Sequence, residues 1–123
     1  ALVYGKVNNS IKTMKDELVY YEDDKKITQK AISNLKIIKS NDGYSFLELN
    51  PITGRKHQLR KQLLKIGNPI IGDDKYFLND RKIIKSKNLM LHAYKIKFMI
   101  NNVQYNFKAK YNEFFENFLN KNF

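Results

Sequence analysis

The apolar positions along this chain change period several times, and each change marks an element. Near the C-terminus Tyr111, Phe114, Phe115, Phe118 and Leu119 recur at i, i+3, i+4, i+7 and i+8. That spacing predicts an amphipathic terminal helix whose aromatic face is core, not a platform for stacked bases. Upstream, Tyr94-Lys95-Ile96-Lys97-Phe98 alternates, which predicts a strand with Ile96 and Phe98 facing the core and Lys95 and Lys97 facing water or a ligand. Asn101-Asn102 then turns the chain into Val103 to Phe107. Leu89 to Ala93 is an apolar run, and the polar, basic stretch from Leu78 to Asn88 reads as a surface loop.

In the first half, Ala1 to Val7 is apolar and starts abruptly, as if inside a strand, so a cut chain is one expectation. Leu18 to Tyr21 reads as a short strand, followed by a turn at Glu22 to Lys26. Ile27 to Lys39 fits two periods. Ile27, Ala31, Leu35 and Ile38 suit a helix, whereas Ala31, Ser33, Leu35 and Ile37 alternate as in a strand. Ser40-Asn41-Asp42-Gly43 is a turn signal, and the alternating Tyr44 to Leu49 after it makes a hairpin, which favours strand for both arms.

The densest stretch runs from Asn50 to Phe77. Pro51-Ile52-Thr53-Gly54 is a turn, after which Leu59, Leu63 and Ile66 fall at i, i+4 and i+7 and predict a helix over 55–66. Arg55, Lys56, Arg60, Lys61 and Lys65 occupy its other side, and no acidic residue lies between Gly54 and Ile71. Gly67 stops the helix and Asn68-Pro69 keeps it stopped.

Composition narrows the function classes. A length of 123 residues with 42% apolar content suits one folded α+β domain, 1–123. The absence of cysteine removes disulfides, thiolate nucleophiles and Cys-based zinc sites, and His57 and His92 lie too far apart in sequence to suggest a metal site. No apolar run is long enough to span a bilayer, and the expected setting is the cytoplasm. A net charge of +11 suits a polyanion such as RNA, because neutralising phosphates releases condensed counterions. A lysine-rich composition with solvated side chains explains the charge equally well. An anionic membrane fits less well, since no basic amphipathic helix offers the exposed aromatic face it needs.

Thr53-Gly54-Arg55-Lys56-His57-Gln58-Leu59-Arg60, with Gly67-Asn68-Pro69-Ile70-Ile71-Gly72-Asp73 and Tyr76, resembles the signature of RluA-type RNA pseudouridine synthases. Leu89-Met90-Leu91-His92-Ala93 resembles the family's downstream Leu-His-Ala strand, and Ala1-Leu2-Val3-Tyr4-Gly5 the strand after its active-site tyrosine. The matches run in order from residue 1 to about Phe98. Lys56, Lys61 and Gln62 depart from the usual Ser/Thr and Val-His, and Phe77 stands where glycine is common. The family's His-Arg-Leu-Asp motif, which carries its nucleophile, is absent from these residues.

The resemblance implies the C-terminal part of a catalytic domain with a mixed, mainly antiparallel sheet flanked by helices. It implies isomerisation of uridine in RNA (ribosomal RNA first, transfer RNA second) without cofactor or metal, and a missing N-terminal part of the same chain as a partner. Arg60 aligns with the arginine that pairs with the nucleophilic aspartate; without the resemblance it would be a solvated helix charge. Arg55 and His57 become RNA or pocket contacts, and Lys61, Lys65, Lys95 and Lys97 become phosphate contacts. Thr53-Gly54 shapes the turn that aims Arg55, and Asp73 pairs with Arg55 or Arg60. His92 is structural. A non-catalytic RNA-binding module is the alternative, and a basic ribosome-assembly domain the third reading. Half a sheet also predicts an open strand edge at Ala1 to Val7 and hence self-association.

Overall fold

The computed structural model describes residues 1–79 and 88–123. The order is β1 (Leu2–Tyr4), β2 (Thr13–Glu22), β3 (Lys25–Ser40), β4 (Tyr44–Pro51), α1 (Gln58–Lys65), β5 (Lys95–Ile100), β6 (Val103–Lys108) and α2 (Glu113–Asn122). It is an α+β arrangement whose strand pairs are antiparallel. The chain divides into two compact units, Ala1–Met90 and Leu91–Phe123.

In the first unit the sheet order is β1-β4-β3-β2. The ambiguous segment is a strand: Ala31, Ser33 and Leu35 are buried at alternate positions and pair across to β2 and β4. The helical reading failed because Ile38, which fits only that period, is the extra residue at a bulge between Ile37 and Lys39. Strand β2 is ten residues long, not a short piece around Leu18, since its polar residues face water along a sheet edge. Asp23 and Asp24, both with positive φ, form the two-residue turn that joins it to β3.

The open edge predicted at Ala1 to Val7 does not exist. One side of β1 pairs with β4, and the other is taken by the chain after α1. The Leu2 amide donates to the Met90 carbonyl at 2.9 Å, the Ile71 amide to Leu2 O at 3.0 Å, and the Tyr4 amide to Pro69 O at 3.0 Å. Leu2, Val3, Ile70 and Ile71 are in consequence core residues. Sequence pairing rules count strands, whereas here an irregular segment satisfies the edge.

Met90 makes these bonds from irregular backbone. Leu89 to Ala93, which resembles a strand of the family, is not a strand here: Met90 makes single backbone bonds to Leu2 and Ile71 and not a ladder. Gly72 explains the close approach. It has φ +85°, and a Cβ there would lie 1.9 Å from Asn88 O. Of the predicted loop Leu78 to Asn88, residues 80–87 lie outside the described residues.

In the second unit β5 and β6 form a two-stranded ribbon turned by Asn101 and Asn102, both with positive φ. The alternation is as predicted, with Ile96, Phe98 and Ile100 paired to Phe107, Tyr105 and Val103. The expected burial of Ile96 and Phe98 is not: they are 58% and 38% exposed. The helix of the same unit packs elsewhere, with Phe115 buried against the rings of Tyr111 (5.0 Å) and His92 (6.0 Å). The terminal helix is as the spacing predicts, but of its apolar face only Phe115 is buried, with Tyr111, Phe114, Phe118 and Leu119 half-buried.

Gly72→Ala should destabilise the first unit by roughly 3 kcal/mol or more, from left-handed strain plus overlap with the Asn88 carbonyl. Chemical denaturation followed by circular dichroism measures it, and an unchanged midpoint would contradict this packing.

Candidate functional site

The site is built on α1, which begins at Gln58, three residues later than the periodicity predicts. His57 causes the delay. It sits at the N-cap in the left-handed region (φ 54°, ψ 27°), so Arg55 and Lys56 belong to the turn before the helix. The end matches expectation in detail. Gly67 has φ +85°, its amide donates to Leu64 O at 2.9 Å, and the Asn68 amide donates to Leu63 O at 3.0 Å.

The face that α1 buries overlaps the predicted one only at Leu63 and is turned toward two glutamines. Gln58, Gln62 and Leu63 are buried, while Leu59 and Ile66 are half-buried. The Gln58 side chain accepts from Thr53 Oγ1 (2.6 Å) and the Arg55 amide (3.0 Å), and donates to Ser33 Oγ (2.7 Å) and Ile32 O (3.1 Å). Gln62 Oε1 accepts from Ser33 Oγ at 2.7 Å, while its Nε2 faces Met14 O and Asp16 Oδ2, each at 3.1 Å. Sequence reasoning missed both glutamines. The available signal was their i, i+4 spacing beside Leu59 and Leu63, opposite a buried Ser33.

With that face pinned, Arg60 projects toward the turn at 72–76. Its Nε lies 2.8 Å from Asp73 Oδ2 and its Nη2 2.7 Å from Asp73 Oδ1, a two-pronged ion pair. Asp73 also accepts from the Lys75 and Tyr76 amides at 3.0 and 2.9 Å, so its carboxylate is fully engaged and buried. Of the two partners expected for Asp73, the structure selects Arg60. The Tyr76 ring lies under the guanidinium, 4.9 Å from Cζ, and Nη1 takes part in none of these bonds. Asp74 Oδ1 also lies 3.7 Å from Nη2, so among the described residues Nη1 is the guanidinium nitrogen left for a carboxylate or phosphate.

Burial by itself would raise the Asp73 carboxyl, but the Arg60 fork and the two backbone amides outweigh it and hold it below its ordinary 3.8. The hydrogen bond to Asp73 likewise raises the Arg60 guanidinium. His57 is pushed below 6.5 by desolvation and by the cations Arg60, Lys75, Lys56 and Lys61. Its Nδ1 lies 3.0 Å from the Tyr76 hydroxyl.

The remaining predicted residues are dispersed. Arg55 donates from Nε to Lys30 O at 3.0 Å, which ties it to β3. Thr53 Oγ1 accepts from the Ile32 amide at 2.9 Å, so Thr53 does brace the turn. Gly54 has open space at its Cβ position and no positive φ, and nothing local there demands glycine. Lys61 rests on the Tyr20 ring, 3.8 Å from its centroid, whereas Lys65 bonds Asp16 at 2.7 Å. Lys95 and Lys97 lie on β5 in the second unit, and His92 Nε2 there meets Ala109 O at 3.1 Å.

A family model described as RNA pseudouridylate synthase matches residues 1–65, just over half of the chain and including Arg60. The chain belongs to this pseudouridylate synthase family. Ribosomal large subunit pseudouridine synthase C of Rickettsia conorii is 40% identical over 92 residues, covering 72% of this chain and 30% of that protein. The mitochondrial RNA pseudouridine synthase 4 of Arabidopsis thaliana is 53% identical over 51 residues, covering 40% of this chain and 11% of that protein. The chain thus spans about a third or less of such relatives. Among solved structures, human RNA Pseudouridylate Synthase Domain Containing 4 superposes with a TM-score of 0.77, over 98% of this chain and 59% of that one. At 23% identity that likeness shows the pseudouridylate synthase fold alone.

Two outcomes are expected at the site. Asp73→Asn should cost about 2–3 kcal/mol at neutral pH, below the figure for a fully buried pair because Arg60 keeps 17% of its side chain exposed. Since the folded-state carboxyl lies below 3.8, the native protein's advantage is complete above that value and shrinks as pH falls through the lower one. Denaturation midpoints from pH 2 to 7 test this; a difference constant with pH would refute it. His57 should titrate below 6.5 by NMR, and Lys75→Gln should move it upward. A value at or above 6.5 in the unaltered protein would contradict the cationic surroundings.

Proposed function

We propose that this chain carries the Arg60 wall of the active site of a cytoplasmic RNA pseudouridine synthase, acting first on large-subunit ribosomal RNA. The observation that carries the reading is Arg60 itself. It falls inside the family match, and Asp73 clamps it so that Nη1 is left for another anion. In such an isomerisation the uridine leaves the RNA stack. An aspartate attacks, the glycosidic bond breaks, the uracil turns, and a carbon–carbon bond to ribose forms. The reaction is redox-neutral and calls for no cofactor. An aspartate nucleophile has to be ionised and fixed, and a guanidinium clamped from behind serves both needs.

The 123 residues contain no His-Arg-Leu-Asp sequence. The nucleophile is accordingly assigned to a part of the family's catalytic domain outside this stretch, and the 123 residues alone are expected to be inactive. That same observation is what favours the second reading, an RNA-binding module that keeps the fold without the chemistry.

Tritium release from 5-tritiated uridine in bulk ribosomal RNA separates the two, using the gene product that includes the aspartate motif. Release should fall about 100-fold in Arg60→Ala, as for removal of one preorganised charge stabiliser, and recover only partly in Arg60→Lys. An inert product would transfer the assignment to the binding module, and full activity in Arg60→Ala would remove Arg60 from the mechanism.

A further inference from the structure

On the side of α1 facing the β2–β3 hairpin there is a recess of about 480 Å³. The hairpin contributes Tyr20 and Glu22, the helix and the turn before it Lys61 and Lys56, and the turn after Asp73 supplies Lys75 and Tyr76. The volume is that of a small-ligand site. The charge is unusual: three lysines and one acid, Glu22. Arg60 has Asp73 and Lys65 has Asp16, but among the described residues no carboxylate lies in ion-pair range of Lys56, Lys61 or Lys75.

These lysines are held, not merely nearby. Lys61 Nζ sits 3.8 Å above the Tyr20 ring, and Lys75 Nζ lies 5.5 Å from the Tyr76 ring centroid. The Tyr20 hydroxyl donates to the Lys56 carbonyl at 2.6 Å, which fixes the turn carrying Lys56 against the hairpin. Partial burial, with repulsion from Lys75 and Lys56, lowers the Lys61 ammonium below its ordinary 10.5. A fold that assembles uncompensated cations on aromatic supports meets that repulsion continuously, and a bound anion relieves it.

We propose that this recess is a clamp for a phosphodiester of single-stranded RNA, in which Lys56, Lys61 and Lys75 grip the backbone next to the nucleotide held at Arg60. The assignment rests on the function proposed above and extends it from the reacting residue to its flank. Tyr76 links the two places, because one ring lies under Arg60, approaches Lys75 and meets His57. Ammonium groups act as point charges and read no base identity, so the clamp contributes register and affinity but not sequence preference. Glu22 opposes the anion, and its removal should tighten binding.

The test is fluorescence anisotropy of the protein with a labelled single-stranded uridine-containing RNA, titrated from 50 to 300 mM salt. The double variant Lys61→Gln/Lys75→Gln should bind at least 10-fold more weakly at low salt. Its log–log salt slope should be smaller by about 1.4, because each single-strand phosphate that goes unneutralised takes away about 0.7. Glu22→Gln should bind more tightly. Lys36→Gln/Lys39→Gln makes the same charge change on β3, away from the recess, and should leave the slope unaltered. Equal slope reductions in the two double variants, or none in the first, would overturn the clamp while leaving the enzyme reading intact. No RNA binding by the unaltered protein would overturn both.

Discussion

The first unit depends on a buried polar seam between α1 and the sheet. Gln58 and Gln62 meet one hydroxyl, Ser33 Oγ, and with the carbonyls of Met14 and Ile32 they satisfy one another. Each net hydrogen bond of this kind is worth only about 1 kcal/mol, while a stranded buried partner costs about 1–3. Stability is therefore a weak reason for the seam, and geometry is a better one. A helix held by leucines can slide or roll by a fraction of a residue at little cost. A helix whose amides must meet fixed carbonyls cannot. Among the described residues every buried side-chain nitrogen and oxygen has a partner, so the seam has a single solution.

That single solution determines where Arg60 goes. Two residues after Gln58 and two before Gln62, it has to emerge on the flank of the helix, at the height of the turn after Ile71. The turn meets it from the other direction. Gly72 lets the chain pass against the Asn88 backbone, and the next residue is Asp73. The ion pair is thus the meeting of two separately fixed backbones. Asp73 is occupied by two amides besides Arg60, which makes it a support for the guanidinium and leaves it a poor candidate for chemistry of its own.

Much of this was legible in the residues. The period-two runs, the Asp23-Asp24 and Asn101-Asn102 turns, the Gly67 stop and the terminal aromatic helix are local features, and local rules found them. What escaped was set by tertiary contact. His57 in a left-handed conformation moved the helix start, and apolar periodicity does not register that uncommon conformation even though histidine tolerates it better than most residues. The leucines marked only part of the buried face because periodicity scores hydrophobicity, and a glutamine at a core position counts against burial until its partners are known. The edge of β1 looked open because the segment that covers it, 69–71 with Met90, has no strand pattern. Arg60 was found by resemblance to a motif; Asp73's partner was narrowed to two arginines by sequence and decided by geometry.

The same contrast separates the cations of the site. The resemblance made Arg55 an RNA or pocket contact and Lys61 and Lys65 phosphate contacts, without ranking them. The structure ranks them by what already holds them. Lys65 is tied to Asp16 and would have to break that bond before meeting a phosphate, while Arg55 is tied through Nε to the Lys30 carbonyl and could offer only its Nη groups from that fixed position. Lys61 leans on a ring, an interaction that a bound anion would leave in place. A lysine already paired with a carboxylate gains little from a phosphate, since one exposed ion pair replaces another. A lysine repelled by its neighbours gains the most. A net charge of +11 would draw any polyanion toward the molecule as a whole, and under the clamp proposed above it is the unpaired fraction of that charge, in the recess beside Arg60, that would give the attraction a place to end.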